Sequence, residues 1–301
     1  MRPSRARSAV LVVLLALLVA CGGRDPDDAQ PPDDSIRFAA YDFSENEILA
    51  AVYAEGAKRA GLPVTLQPGV GTREVVEPAL EQGVVDVVID YLGTALQFVG
   101  WRLDQRAAAP EQMHAALRAT LGGRGIAVLA PAAAEDQNGF AVSKDFATGF
   151  QVRELSDLAP IAGQLTFGGP PECRQRPLCL PGLAEVYGLH FGQVQSMPSR
   201  AATVEALLSG HIHVGLLETT DARLGQAPVV LLADDRSLQP PENVVPLVRD
   251  DVLDRWGDRL RDALDAVSAR LTTEDLIALN RAVETDGLSP EQAAAEWWEN
   301  G

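Results

Sequence analysis

The feature that most constrains this chain is a rhythm. Short β-branched runs alternate with stretches whose apolar residues recur at helical spacing. Residues 84–89 are the densest such run, with Val84, Val85, Val87, Val88 and Ile89 around one Asp86. A run apolar at successive positions reads as a strand buried on both faces. Before it, the pattern predicts a strand over 36–40 and a helix over 44–60, with Ile48, Leu49, Val52 and Tyr53 on one stripe. Ser44 followed by Glu47 has the spacing of a capping box at that helix start, and Gly61 ends it. A strand over 64–66 and a helix over 73–82, broken by Gly83, complete the approach. After the run come a helix from Leu92, a helix over 111–121 and a strand over 126–129. This βαβαβ order implies a parallel sheet with helices on both faces.

A second set follows. Residues 131–139 are small and polar and read as a crossover. Strands are expected over 140–142, 165–167, 214–217 and 229–232, and helices over 183–187 and 202–209. Pro240-Pro241 marks a second crossover. Residues 250–298 read as helical, with Leu253, Leu260, Leu264 and Val267 in step. The expected fold is α/β with two lobes, each a mostly parallel sheet flanked by helices. Lobe 1 takes 35–133 and 240–301, lobe 2 takes 134–239, and hinges fall near 131–139 and 235–241. Ligands of open α/β sheets lie outside the carboxyl ends of strands. Those ends are Tyr41-Asp42-Phe43, Asp90-Tyr91, Gly168-Gly169 and Glu218-Thr219-Thr220-Asp221.

The start of the chain carries Arg2, Arg5 and Arg7, then an unbroken apolar run over 9–20. That run has about twelve residues against the roughly twenty of a membrane-spanning helix, so it reads as an export signal. Leu18-Val19-Ala20-Cys21 resembles the lipobox of bacterial lipoproteins. The resemblance implies cleavage before Cys21 and a lipid on its thiol, holding the protein to the outer face of a cytoplasmic membrane; the alternative is an ordinary secretory signal that ends in Cys. Residues 22–34 hold five Asp and three Pro and read as a disordered tether. The net charge of −17 argues against nucleic acid as a partner. Of the three cysteines, Cys173 and Cys179 remain, six positions apart, and outside the cytoplasm such a pair is expected to bond. No metal or cofactor is implied there, since no His lies within ten residues of either.

Four segments together resemble the extracytoplasmic substrate-binding proteins of ABC importers for glycine betaine, choline, carnitine and related osmoprotectants, of the type II periplasmic-binding-protein fold. Asp42-Phe43-Ser44-Glu45-Asn46-Glu47-Ile48-Leu49 is close to that family's opening. Asp90-Tyr91-Leu92-Gly93-Thr94 is close to its Tyr-Thr-Gly-Thr motif. Residues 168–191 and 206–221 supply the other two. The resemblance implies a small cationic solute and ABC permease subunits as partners. It implies that Tyr91 helps cage a trimethylammonium group and that Thr94 meets a ligand carboxylate. It places Phe43 and Ser44 in the cleft wall and fits Tyr187 to a family tyrosine, while Asp90, Gly169 and Thr219 are candidates by their strand-end positions. A trimethylammonium ion has no N–H, so aromatic faces hold it best, at about 0.5–2 kcal/mol per ring. Packing alternatives stay open: Phe43 as a staple on its helix, Tyr91 as a core edge, Thr94 as a cap, Tyr187 as helix packing.

Two departures are visible. A family tyrosine is Glu218 here, and a family lysine is Tyr41. An acid replacing a ring, and a ring replacing a carboxylate binder, favour a guest more cationic than glycine betaine; the alternative is a Glu218 that faces solvent or a helix end. His211 and His213, with Glu218, have the composition of a zinc site, though they fall where the family has a surface turn. The turn over 69–73 opens a helix and can meet an anion. A sensor or scaffold without transport is one rival function. A lipid-anchored hydrolase is another, with Asp90 and Glu218 as its acid pair, but none of His114, His190, His211 and His213 lies at the four strand ends.

Overall fold

The computed structural model describes residues 34–100, 108–224 and 226–300. The export signal, Cys21 and nearly all of the tether lie outside the described residues. Two five-stranded sheets form the frame, and they share one plan. In the first, β1 (Ile36–Tyr41), β2 (Val64–Gly71), β3 (Val87–Tyr91), β4 (Ile126–Val128) and β10 (Val244–Arg249) run in the order β2-β1-β3-β10-β4. In the second, β5 (Asn138–Ser143), β6 (Thr166–Gly169), β7 (Gln193–Ser196), β8 (Val214–Glu218) and β9 (Val229–Leu231) run in the order β7-β6-β8-β5-β9. In each sheet the strand that has just crossed from the other lobe lies antiparallel between two others: β10 between β3 and β4, β5 between β8 and β9. The remaining neighbours are parallel. Helices α1 (Ser44–Arg59), α2 (Arg73–Glu81), α3 (Leu92–Phe98), α4 (Pro110–Gly122) and α8 to α11 (Asp250–Trp256, Asp258–Arg270, Thr273–Glu284, Pro290–Asn300) surround the first sheet. Helices α5 (Lys144–Phe150), α6 (Leu180–Tyr187) and α7 (Arg200–Leu208) accompany the second.

Each sheet buries both faces. In the first, Ile36, Phe38, Val87 and Ile89 pack under α1 and α9, while Ala39, Val88, Val245 and Leu247 pack toward α2 and α4. In the second, Phe140, Phe167 and Val214 face Leu183 and Tyr187, and Ala141 and Leu217 face Val204 and Leu207. Residues buried on two sides must be apolar at every position, which explains the unbroken β-branched runs.

Several local expectations are corrected. The strand expected over 84–89 begins at Val87, because the amides of Val84 and Val85 turn back to Ala79 O and close α2. Ser44 is not a cap: Phe43 stands at the N-cap without a side-chain bond. Asn46 Oδ1 accepts from Tyr41 N at 2.7 Å and its Nδ2 donates to Ile89 O, locking the helix start onto two strands. A true capping box occurs at Thr272 and Asp275. Three elements, β7, β10 and α5, had no sequence expectation. Pro246 conceals β10, since a proline lacks a ladder donor and argues against an interior strand. Leu129 N donates to Pro246 O at 3.0 Å, but Pro246 cannot return the bond. His114 Nε2 meets Leu129 O at 2.8 Å and replaces the missing donor.

The two crossovers run side by side, bridged antiparallel at Glu135 and Asn243. Ala132 N donates to Val244 O, and Val244 N donates to Ala134 O. The chain therefore passes between the sheets through one paired ribbon.

Candidate ligand-binding cleft

The carboxyl ends of β1, β3 and β8 and the turn after β6 converge on a cavity of about 740 Å³, within the range of small-molecule sites. On the first lobe's side, Tyr41, Phe43, Ser44, Glu45, Arg73, Tyr91 and Thr94 line it. Across from them are Pro170, Glu172, Cys173, Arg176, Arg200 and Glu218, with Asp136 and Glu242 from the crossovers.

Three rings form one wall. Phe43 is 37% exposed, and its ring lies 6.1 Å from that of Tyr41 and 6.3 Å from that of Tyr91, at interplanar angles of 16° and 26°. Phe43 is therefore no staple against its own helix. The Tyr91 hydroxyl donates to Glu45 Oε1 at 2.6 Å, which fixes the ring. Tyr41 lines the cleft, but its hydroxyl is tied inward, 2.7 Å from Asp90 and 3.0 Å from Glu77. The Arg73 guanidinium lies 4.9 Å over the Tyr41 ring, so that ring already serves a cation of the protein. A phenol has one proton for two carboxylates. Burial and the neighbouring Asp90 push Glu77 up to about 8, so at neutral pH it carries the proton that the second contact needs.

Other expected residues stand elsewhere. Asp90 is fully buried behind the wall, held by two bonds from Arg73 and one from Tyr91 N, and does not reach the cavity. Arg73 is spent on that pair, which corrects the anion site expected at the turn over 69–73. Gly169 and Thr219 are not among the lining residues; Thr219 Oγ1 donates to Asp136 at 3.1 Å and serves the crossover. Tyr187 packs in the second lobe's core, its hydroxyl bonded to Asp234 and to Arg236 N. Glu218 does line the cleft, but both its oxygens are held by Arg200, so its charge is matched. Asp90 and Glu218 each keep their own arginine and do not form an acid pair. His213 Nδ1 accepts from Thr166 N at 2.9 Å and is used by the sheet. Among the described residues no cluster suits a metal ion.

Thr94 is on the wall, yet its N–H and hydroxyl both go to Glu242, at 2.9 and 2.5 Å. The place expected for a ligand carboxylate is filled by one of the protein's own. Gly93 permits this, because a Cβ there would stand 2.4 Å from Pro240 and 2.8 Å from Pro241 O. Burial pushes Glu242 up to about 8. Burial and Glu45 also raise Asp136 well above the usual carboxylate range. Glu45, Asp136 and Glu242 escaped the sequence reading. The only available signal was position: Glu45 follows the opening turn, and the other two adjoin the crossovers.

The lobes touch at the cleft floor. Glu45 Oε2 accepts from Thr220 Oγ1 at 2.5 Å and from Asn280 Nδ2 at 2.6 Å. Arg223 donates to Glu284 at 2.7 Å. Cys173 and Cys179 are bonded, with Cα atoms 5.3 Å apart, and the loop they close presents Arg176 to the cavity.

Comparison with known proteins gives the same picture. Residues 34–300 match the family model described as the substrate binding domain of ABC-type glycine betaine transport systems. A glycine-betaine-binding protein of Pseudomonas aeruginosa is 27% identical over 295 residues, covering 95% of this chain and 93% of the relative. The carnitine transport binding protein OpuCC of Listeria monocytogenes is 25% identical over 264 residues, 84% of this chain and 82% of that protein. In fold, the chain superposes on a crystal structure of a glycine betaine/carnitine/choline ABC transporter with a TM-score of 0.71 at 21% identity, covering 88% of this chain and 98% of the other. It superposes on lactococcal OpuAC, closed on glycine betaine, with a TM-score of 0.64 at 18% identity, covering 89% and 96%. The chain belongs to the family of substrate-binding domains of ABC-type glycine betaine transport systems.

Proposed function

We propose that this protein is an extracytoplasmic receptor. It captures a quaternary-ammonium or other cationic amine solute, of the glycine betaine and choline class, between its two lobes. It then delivers the solute to the permease subunits of an ABC importer. A lipid on Cys21 holds it to the outer face of the cytoplasmic membrane. The observation that carries the reading is the ring wall: Phe43 stands exposed in the cleft between Tyr41 and Tyr91. Such faces suit a cation without N–H donors. Ser44 and Thr94 complete that wall, and Tyr91 and Phe43 carry the contact.

Closure acts through the paired crossovers. Contacts from both lobes make the closed state the one the guest favours, and Glu45 with Thr220 shows where the lobes already meet. The chemistry requires no bond to break. Native mass spectrometry of gently purified protein should reveal a co-purified small cation. Titration with choline, glycine betaine and carnitine should then give dissociation constants at or below micromolar. Binding of none of them below millimolar would sink the quaternary-ammonium reading.

A further inference from the structure

The charge inventory of the cleft narrows the guest further. Among the described residues lining it are eight carboxylates and four guanidinium groups. Three of the four guanidiniums are engaged by the protein's own acids: Arg73 by Asp90, Arg200 by Glu218, and Arg223 by Asp221 and Glu284. Arg176 stands only 3.8 Å from Glu74 and Glu172. The donors of Thr94 are taken by Glu242. Of these donors, Arg176 alone keeps no hydrogen-bonded acid among the described residues.

The acids are in the opposite position. Glu45, Asp136 and Glu242 are 5%, 8% and 2% exposed, and among the described residues no Arg or Lys forms an ion pair with any of them. Tyr91, Thr220 and Asn280 donate to Glu45. Thr219 and Thr220 donate to Asp136, and Thr94 donates to Glu242. The charges around them are mixed: Glu45 faces Asp136, Asp136 faces Arg200, and Glu242 faces Arg73 and Asp90. Burial raises Asp136 and Glu242 and so favours their neutral forms.

A separate observation points to a guest. Asn280 is 3% exposed and lines the same floor. Its Nδ2 is turned to two acceptors, Glu45 Oε2 and Thr220 O, which fixes the amide. Its Oδ1 is then buried with no donor. Such an orphan acceptor is costly until something donates to it.

We propose that the cleft selects a small cation that has no carboxylate and carries one hydroxyl or N–H donor, and that this cation sits against Glu45, Asp136 and Glu242. The donor meets Asn280 Oδ1, and the charge meets the three acids. This deepens the proposed function and rests on it, since it assumes the cleft is the ligand site. A zwitterion such as glycine betaine brings its own carboxylate against Glu242 and finds Thr94 already bonded.

The sign of the pH dependence follows. A carboxyl group that titrates high in the empty protein is protonated at pH 7. A bound cation favours its charged form, so binding releases protons. Affinity for the cation therefore rises as pH climbs toward about 8, the value for Glu242, and levels above it.

The test is isothermal titration of the purified full chain with choline, glycine betaine and 1,4-diaminobutane, between pH 6 and 9, in two buffers of different ionisation enthalpy. Choline should bind at least about tenfold more tightly than glycine betaine at pH 8. Its affinity should improve about threefold or more from pH 6.5 to 8.5, with net proton release read from the buffer difference. Glu242→Gln should flatten that profile; the buffer comparison on the unaltered protein needs no variant and stands if this one fails to fold. Glycine betaine binding as tightly as choline overturns the inference and leaves the proposed function intact, and so does binding without proton release. The diamine binding alone upholds the selection of a carboxylate-free cation and overturns the quaternary-ammonium reading. No binding by any of the three overturns both.

Discussion

Tyr91 joins two functions in one side chain. Its ring closes the aromatic wall, and its hydroxyl anchors Glu45, which in turn reaches Thr220 in the other lobe. These roles separate by substitution. Tyr91→Phe keeps the ring and removes one hydrogen bond, so stability should fall by about 1 kcal/mol with affinity for choline changed less than about threefold. Tyr91→Ala removes the face as well, and affinity should fall about tenfold or more, in line with one cation–π contact plus lost packing. Tryptophan fluorescence or calorimetric titration would read both; equal loss in the two variants would mean that the ring does not touch the guest. Phe43→Ala should lower affinity with little effect on melting, because that residue is already more than a third exposed. Tyr91 and Phe43 were legible in the sequence because strand-end positions and a motif marked them. Arg73 over Tyr41, and Arg200 on Glu218, were not legible, because the partners are 32 and 18 positions apart and no local pattern joins them.

The elements depend on a few substitutions for missing backbone bonds. β10 holds the first sheet together although Pro246 lacks a donor, and His114 from α4 fills the gap at Leu129 O. His114→Ala should destabilise the protein by about 1 kcal/mol in urea unfolding, through a carbonyl left with no partner. No change on removal would show that solvent serves equally well there. The Cys173–Cys179 bond closes a short loop ahead of α6 and sets it against the cleft. Replacing both with Ser should cost about 2 kcal/mol by loop-closure entropy, read as a lower urea midpoint. Helical elements other than α5 were readable from their stripes, and most strands from β-branched runs. β7, with its Gln and Ser, and β10, with its proline, were not, because pairing partners rather than intrinsic preference decide such strands.

At the scale of the whole molecule, buried acids govern the response to pH. Glu77 and Glu242 both titrate near 8 in the folded state, against an ordinary value of 4.5. Between these values the folded protein holds protons that the unfolded chain releases. Stability of the ligand-free protein should therefore decline as pH rises from about 5 to 8 and level off above that. A melting-temperature series would show it, and Glu77→Gln should reduce the slope. A ligand-free protein that gains stability over this range would show that these acids are charged in the fold. The lobes are joined by the paired crossovers, by Glu45 with Thr220 and by Arg223 with Glu284, so a cation on the floor acts where the halves already meet.

The sequence by itself determined the class of this protein. Alternating β-branched and helical patterns require layered α/β lobes, and four motifs in order mark the family, since both are written in local spacing. Only the tertiary structure decided which charges are spent and which are free. Glu218 was visible as an acid, but only the fold brings Arg200 to it. Glu45, Asp136 and Glu242 lie far apart along the chain and line one cavity. Charge balance in a cleft is a property of distances through space, and neighbouring letters do not encode it.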